Sequence, residues 1–262
     1  MAKSSLASPR SSGRADARIR ERLIVALDVE TVAAAAQAVR GLGDAVSFYK
    51  VGKQLFVHGG PDVVRTVQDG GAEVFLDLKF HDIPNTVAAA GVEAARLGVR
   101  IFNIHASGGL AMMERTVAEV DRVCRAERLR RPSIIAVTVL TSLEDADLAQ
   151  VGVARAAAAQ VVRLARLAKR AGLNGVVASP REIGAIRRAC GPEFLVVTPG
   201  VRPVGADQND QKRVRTPGEA IAAGADYLVV GRPILGAPDP VAAADAIVLD
   251  MTRGARGSRG RN

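Results

Sequence analysis

Eight short apolar runs recur along this chain at intervals of about 20 to 40 residues, each followed by an Ala-rich amphipathic stretch, which is the signature of repeated βα units. The spacing predicts strands near Leu23–Leu27, Ser47–Val51, Val74–Leu78, Ile101–His105, Ile134–Leu140, Gly175–Ala178, Phe194–Thr198 and Tyr227–Val230. Helical patterns fall between them at Val32–Arg40, Pro61–Asp69, Thr86–Leu97, Gly109–Leu129, Arg155–Ala171, Arg181–Ala189 and Pro217–Ala223. Gly41, Gly70, Gly98, Gly172, Gly191 and Gly224 each follow an apolar stripe, where a left-handed cap would end a helix. Eight parallel strands over residues 23–250 fit an α/β fold of one domain, a (β/α)8 TIM barrel whose chemistry sits at the C-terminal strand ends. A doubly wound open sheet is the competing architecture. It is disfavoured because the first strand runs into Leu27-Asp28-Val29-Glu30 and not into a G-x-G-x-x-G turn. Leu143–Val153 reads as a longer insertion after the fifth strand.

The segment Phe75-Leu76-Asp77-Leu78-Lys79-Phe80-His81-Asp82 places three charges of alternating sign where an apolar strand ends. A strand buried on both faces makes an unpaired charge cost several kcal/mol, so these charges need partners at a barrel mouth. Asp77 and Lys79 are two apart and point to one side of an extended chain, while Asp82 lies in the following turn. An ion pair that only fixes a loop would also satisfy this pattern. Polar residues recur at the other strand ends: Asp28, Lys50, His105 and Ser107, Thr141 and Ser142, Ser179, then Thr198 to Arg202 and Gly231-Arg232-Pro233. Two acids, two lysines and two arginines on one face, with Gly-rich turns after strands seven and eight, make an anion-friendly site with a phosphate pocket.

The net charge of +9 belongs to the ends of the chain. Residues 1–22 contribute +4 and residues 251–262 another +4, leaving 26 basic and 25 acidic residues between them (36 less 10, and 27 less 2). Both ends are rich in Ser, Gly and Arg without an apolar period, so residues 1–22 and 251–262 are expected to be disordered basic tails. An inert solubilising role is expected for them, in preference to organelle transit or contact with nucleic acid. No run of about 18 apolar residues exists to span a membrane. Cys124 and Cys190 lack a C-x-x-C partner, and three histidines give no zinc spacing; reduced structural thiols and a cytoplasmic location are expected. His58, His81 and His105 read as structural.

Seven motifs now stand in order: Ala26-Leu27-Asp28; Lys50-Val51-Gly52; Asp77 to Asp82 with Ile83-Pro84-Asn85-Thr86; Val137 to Ser142; Val197-Thr198-Pro199-Gly200-Val201-Arg202; Asp210-Gln211; and Val230-Gly231-Arg232-Pro233. Together they resemble the orotidine 5'-phosphate decarboxylase family, over about Leu23 to Asp250. The resemblance implies conversion of orotidine 5'-phosphate to UMP, the last step of de novo pyrimidine biosynthesis, by a homodimer with shared active sites and without a cofactor or metal. By position it implies that Lys79 donates the proton and Asp77 faces the substrate carboxylate. Lys50 and Asp28 would hold the ribose hydroxyls and order the charges. Asp82 would reach into the neighbouring subunit's site, accompanied by Thr86. Thr141 would lie near the pyrimidine, and Arg202, Gln211, Gly231 and Arg232 would cradle the 5'-phosphate.

Two rivals have observable differences. A metal-dependent sugar-phosphate decarboxylase or aldolase of the same superfamily shares D-x-K-x-x-D, but it needs an acid in the second strand, where this chain has Lys50. A nucleic-acid-binding protein using the basic tails on an inactive barrel would bind in a strongly salt-dependent way.

Overall fold

A computed structural model describes residues 17–202 and 215–259, with side chains through 257. Eight parallel strands close into a barrel in the order β1 to β8: Leu23–Ala26, Phe48–Gly52, Glu73–Phe80, Ile101–His105, Ser133–Val137, Gly175–Val177, Leu195–Pro199 and Tyr227–Val230. Closure comes from β1 pairing with β8, Leu23 opposite Leu228. Among the described residues after β1, the α-helices are α1 (Val32–Leu42), α2 (Lys53–Gly59), α3 (Asp62–Asp69), α4 (Pro84–Arg96), α5 (Leu110–Glu127), α6 (Asp145–Gln150), α7 (Ala157–Arg170), α8 (Ile183–Cys190), α9 (Pro217–Ala222), α10 (Arg232–Leu235) and α11 (Pro240–Arg259). The single-domain (β/α)8 barrel expected from the sequence is therefore present.

Period-two alternation sorts each strand into an inward and an outward set. Ile24, Phe48, Phe75, Ile101, Ile135 and Val197 point inward and plug the barrel. Their neighbours Leu23, Tyr49, Val74, Phe102, Ile134 and Val196 point outward and meet the apolar stripes of the helices. The plug gives the top of the barrel an apolar floor, on which the next inward residues stand. At the opposite end Arg187 donates to the carbonyls of Gly224, Pro192 and Phe194 and pairs with Asp226, stapling the loops below β7 and β8.

Local signals set several helix ends. Thr31 Oγ1 accepts from the Ala34 N–H at the start of α1, and Thr216 with Glu219 forms a capping box at the start of α9. Gly98, Gly172, Gly191 and Gly224 adopt the positive φ expected of them. Gly41 and Gly70 do not: Gly41 lies within α1 and Gly70 has φ −75°, and the left-handed residues are Gly43 and Gly71. The insertion after β5 contains α6, whose start is fixed by a reciprocal Glu144–Asp147 capping box.

Both expected tail boundaries are corrected. Residues 17–20 are helical, Arg20 bonds to the Ala45 carbonyl and Asp245, and Arg22 bonds to the Asp226 and Ala225 carbonyls beneath β8. At the other end α11 runs past Asp250 to Arg259, with Met251 and Thr252 buried. The helix lies close against α9: a Cβ on Gly254 would collide with the Gly218 carbonyl oxygen. These anchors are long-range side-chain hydrogen bonds and close helix packing. They leave no apolar period in the sequence, so an Arg- and Gly-rich composition passes for a tail.

Candidate active site

Inward positions above the apolar floor carry the charges. Asp77 in β3 accepts at Oδ1 from Lys79 Nζ at 2.6 Å, and its Oδ2 lies 3.6 Å from Lys50 Nζ of β2. Lys50 Nζ also reaches Asp28 Oδ1, just beyond β1, at 3.2 Å. Asp28, Lys50, Asp77 and Lys79 thus form one chain of alternating sign across the C-terminal ends of three strands. The side chains of Lys50 and Asp77 are only 12% and 13% exposed, so each buried charge depends on its neighbour to offset lost hydration. Two glycines make room: a Cβ on Gly52 would stand 3.1 Å from Lys50 Nζ, and one on Gly231 would stand 3.1 Å from Asp28 Oδ2.

Two hollows open on either side of the Asp77–Lys79 pair. One of about 180 Å³ is walled by Phe75, Val137, Val177, Pro199 and Val229 and includes Thr141 and Leu140. The other, about 160 Å³, is bounded by Asp28, Lys50, Gly52, Lys53 and Gln54. An apolar slot and a polar slot meeting at an ammonium–carboxylate pair can hold a flat ring on one side and a hydroxylated group on the other. A larger groove of about 560 Å³, lined by Arg155, Arg163, Arg166 and Arg170, lies along α7 outside the barrel, away from the strand ends.

Not every expected residue joins this cluster. Asp82 is exposed and its Oδ1 accepts from the Ile83 N–H at 2.6 Å, leading into α4. Thr86 is exposed on the first turn of the same helix. Arg202 is 8% exposed just beyond β7, its guanidinium donating to the Val201 carbonyl. Arg232 is exposed as the first residue of α10, and Gln211 lies outside the described residues.

Asn103 is a residue that the sequence reading passes over. It is fully buried in β4, donates from Nδ2 to Asp77 Oδ1 at 2.7 Å, and accepts at Oδ1 from the Lys79 N–H at 2.8 Å. Its signal in the sequence is a lone amide inside the apolar run Ile101-Phe102-Asn103-Ile104. Histidines also approach the mouth, with the His81 and His105 rings 5.2 Å apart. Burial, then the electrostatic influence of His81, Lys53 and Lys79, holds His105 down at about 4 against the opposing pull of Asp77. His105 is thus neutral at pH 7. Because an unfolded histidine protonates near 6.5, its contribution to stability is fully present above about pH 6.5 and is lost as pH falls through 4. After solvent screening that contribution is on the order of 1 kcal/mol, or about 2 to 4 °C in Tm. Melting curves from pH 7.5 to 4 are expected to fall less steeply for His105→Gln; an unchanged slope would contradict the assignment.

The closed parallel barrel with paired lysines and aspartates at its strand ends defines a (β/α)8-barrel enzyme. A profile described as "Orotidine 5'-phosphate decarboxylase / HUMPS family" matches residues 21–247. The chain is 60% identical over 232 residues to the orotidine 5'-phosphate decarboxylase of Syntrophotalea carbinolica, covering 88% of this chain and 95% of that one. It is 56% identical over 235 residues to that of Geobacter sulfurreducens, covering 90% and 98%. The crystal structure of orotidine 5'-phosphate decarboxylase from Lactobacillus acidophilus superposes with a TM-score of 0.78 at 37% identity, covering 88% of this chain and 98% of that chain. The chain belongs to the orotidine 5'-phosphate decarboxylase / HUMPS family.

Proposed function

We propose that this enzyme decarboxylates orotidine 5'-phosphate to UMP, using its own charges and no cofactor. The observation that carries the reading is the Asp28–Lys50–Asp77–Lys79 chain beside a ring-sized apolar slot. Breaking the bond from C6 to the carboxylate leaves an electron pair in the ring plane, out of overlap with the π system. No electron sink is available, so fixed charges in a water-poor site must supply the stabilisation. The Lys79 ammonium stabilises the carbanion and then gives it a proton; CO2 departs, and solvent returns a proton to the amine. Asp77 faces the substrate carboxylate, and their repulsion is relieved as CO2 leaves.

Lys50 and Asp28 hold the ribose hydroxyls, and Thr141 lies beside the pyrimidine. Arg202, Gln211, Gly231 and Arg232 grip the 5'-phosphate, whose binding energy is used to align C6 with Lys79. Asp82 and Thr86 serve the site of a second subunit, so the working unit is a homodimer. Their exposure at the rim of the site, away from the Asp28–Lys50–Asp77–Lys79 chain, supports this. No helix among the described residues is long and apolar enough to cross a membrane, and two free, buried thiols support a cytoplasmic location.

The metal-dependent alternative meets a physical obstacle. Lys50 Nζ already bridges Asp28 and Asp77, the carboxylates a divalent cation would need. Absorbance loss with orotidine 5'-phosphate tests both readings. Turnover to UMP that persists in EDTA is the expected outcome; turnover abolished by EDTA and restored by Mg2+ would establish the metal-dependent route instead.

A further inference from the structure

The β3–β4 ladder is interrupted beside the charge chain. Leu76 pairs with Phe102 and Phe80 with Ile104, so Asp77, Leu78 and Lys79 face Asn103 alone. Inside this bulge Lys79 has φ 53°, a left-handed conformation that costs a residue with a Cβ about 1 to 2 kcal/mol. Such a residue persists only where its surroundings over-determine it. Asn103 is what surrounds it: Oδ1 accepts the Lys79 N–H that has lost a ladder partner, and Nδ2 donates to Asp77 Oδ1, the oxygen that also binds Lys79 Nζ. The amide can face only one way, because a peptide N–H solely donates and a carboxylate solely accepts.

Building on the decarboxylase reading, we propose that Asn103 is a positioning residue for the reaction. It locks the left-handed backbone of Lys79 and the carboxylate plane of Asp77 together, so the proton donor and the charge opposing the substrate carboxylate share one rigid frame. Asn103 itself touches no reacting atom. Its two hydrogen bonds fix where the ammonium stands relative to C6, and a misplacement of about 1 Å at such a group can cost about 100-fold in rate. A buried amide that merely closed the bulge would contribute to stability alone.

Three measurements separate these roles, with the wild-type enzyme assayed in parallel. If the wild type fails to decarboxylate orotidine 5'-phosphate, the functional reading falls; the positioning claim is then judged by structure alone. For Asn103→Ala, kcat is expected to fall by about 100-fold, with KM changing less than about 3-fold because the phosphate grip is remote. Asn103→Asp keeps size and the acceptor for Lys79 N–H but sets a second carboxylate against Asp77. Its kcat should be low at pH 8 and rise towards pH 5.5 relative to wild type, as a shared proton restores a donor between the two acids. In crystals of Asn103→Ala, Lys79 should leave the left-handed region. Wild-type kcat in either folded variant, a pH profile for Asn103→Asp parallel to wild type, or an unchanged Lys79 backbone in the alanine variant would overturn the proposal. Should Asn103→Ala not fold, the near-isosteric Asn103→Asp still decides it through the pH profile.

Discussion

Lys79→Ala is expected to lower decarboxylation of orotidine 5'-phosphate by at least about 1000-fold while UMP remains bound with measurable affinity. An ammonium about 4 Å from a developing carbanion is worth on the order of 4 kcal/mol at an effective dielectric near 20, and about 1.4 kcal/mol corresponds to a factor of ten in rate. Loss of the proton donor adds to that penalty. The variant should still fold, because Asp77 keeps Lys50 at 3.6 Å and the Asn103 amide at 2.7 Å, so no carboxylate is stranded. The left-handed φ at position 79 remains for alanine to adopt, at the same cost of about 1 to 2 kcal/mol that lysine bears. Single-turnover absorbance measurements and calorimetric titration with UMP check the two halves. Turnover within tenfold of wild type would remove Lys79 from the role of proton donor.

Mixing inactive Asp82→Asn subunits with inactive Lys79→Ala subunits is expected to restore activity. In a hybrid dimer one site combines Lys79 from the first chain with Asp82 from the second, and the other site carries both lesions. Random assortment makes half the dimers hybrid, each with one intact site of two, so recovery should approach about a quarter of wild type. The prediction draws on the geometry around Asp82. Within one chain its carboxylate caps the backbone at Ile83 and is solvent-exposed, with Ile83 itself open beside it. No recovery after subunit exchange, shown by mass to have occurred, would place Asp82 outside a shared site.

Legibility varied with the range of the interactions. The spans of β4 and β8 coincide with the expected ones, because a doubly buried strand is written in consecutive residues. β3 extends to Phe80, beyond the expected Leu78, since the bulge at Lys79 lets the strand rejoin β4. The short helices α2, α6 and α10 escaped notice because four to seven residues give too little periodicity to register. α11 went unread along its whole length; its last turns carry Arg253, Gly254, Arg256 and Gly257 and look like solvent-loving chain, yet Gly254 packs against the Gly218 backbone of α9.

The charged residues Asp28, Lys50, Asp77 and Lys79 were readable as members of one site, because each ends or follows a strand and a parallel barrel gathers those ends on one face. Period and polarity are local properties, and the family resemblance rests on the same local motifs. Only the tertiary structure decided how the charges connect: that Lys50 bridges Asp28 and Asp77, that Asp77 shares one oxygen between Lys79 and Asn103, and that Asp82 stands apart from them within its own chain. The left-handed backbone of Lys79 and the burial of Asn103 belong to the same category. Strand register and a bulge set these features across residues more than twenty positions apart, and a sequence pattern with a period of two or 3.6 carries no information about which residue of one strand faces which residue of the next.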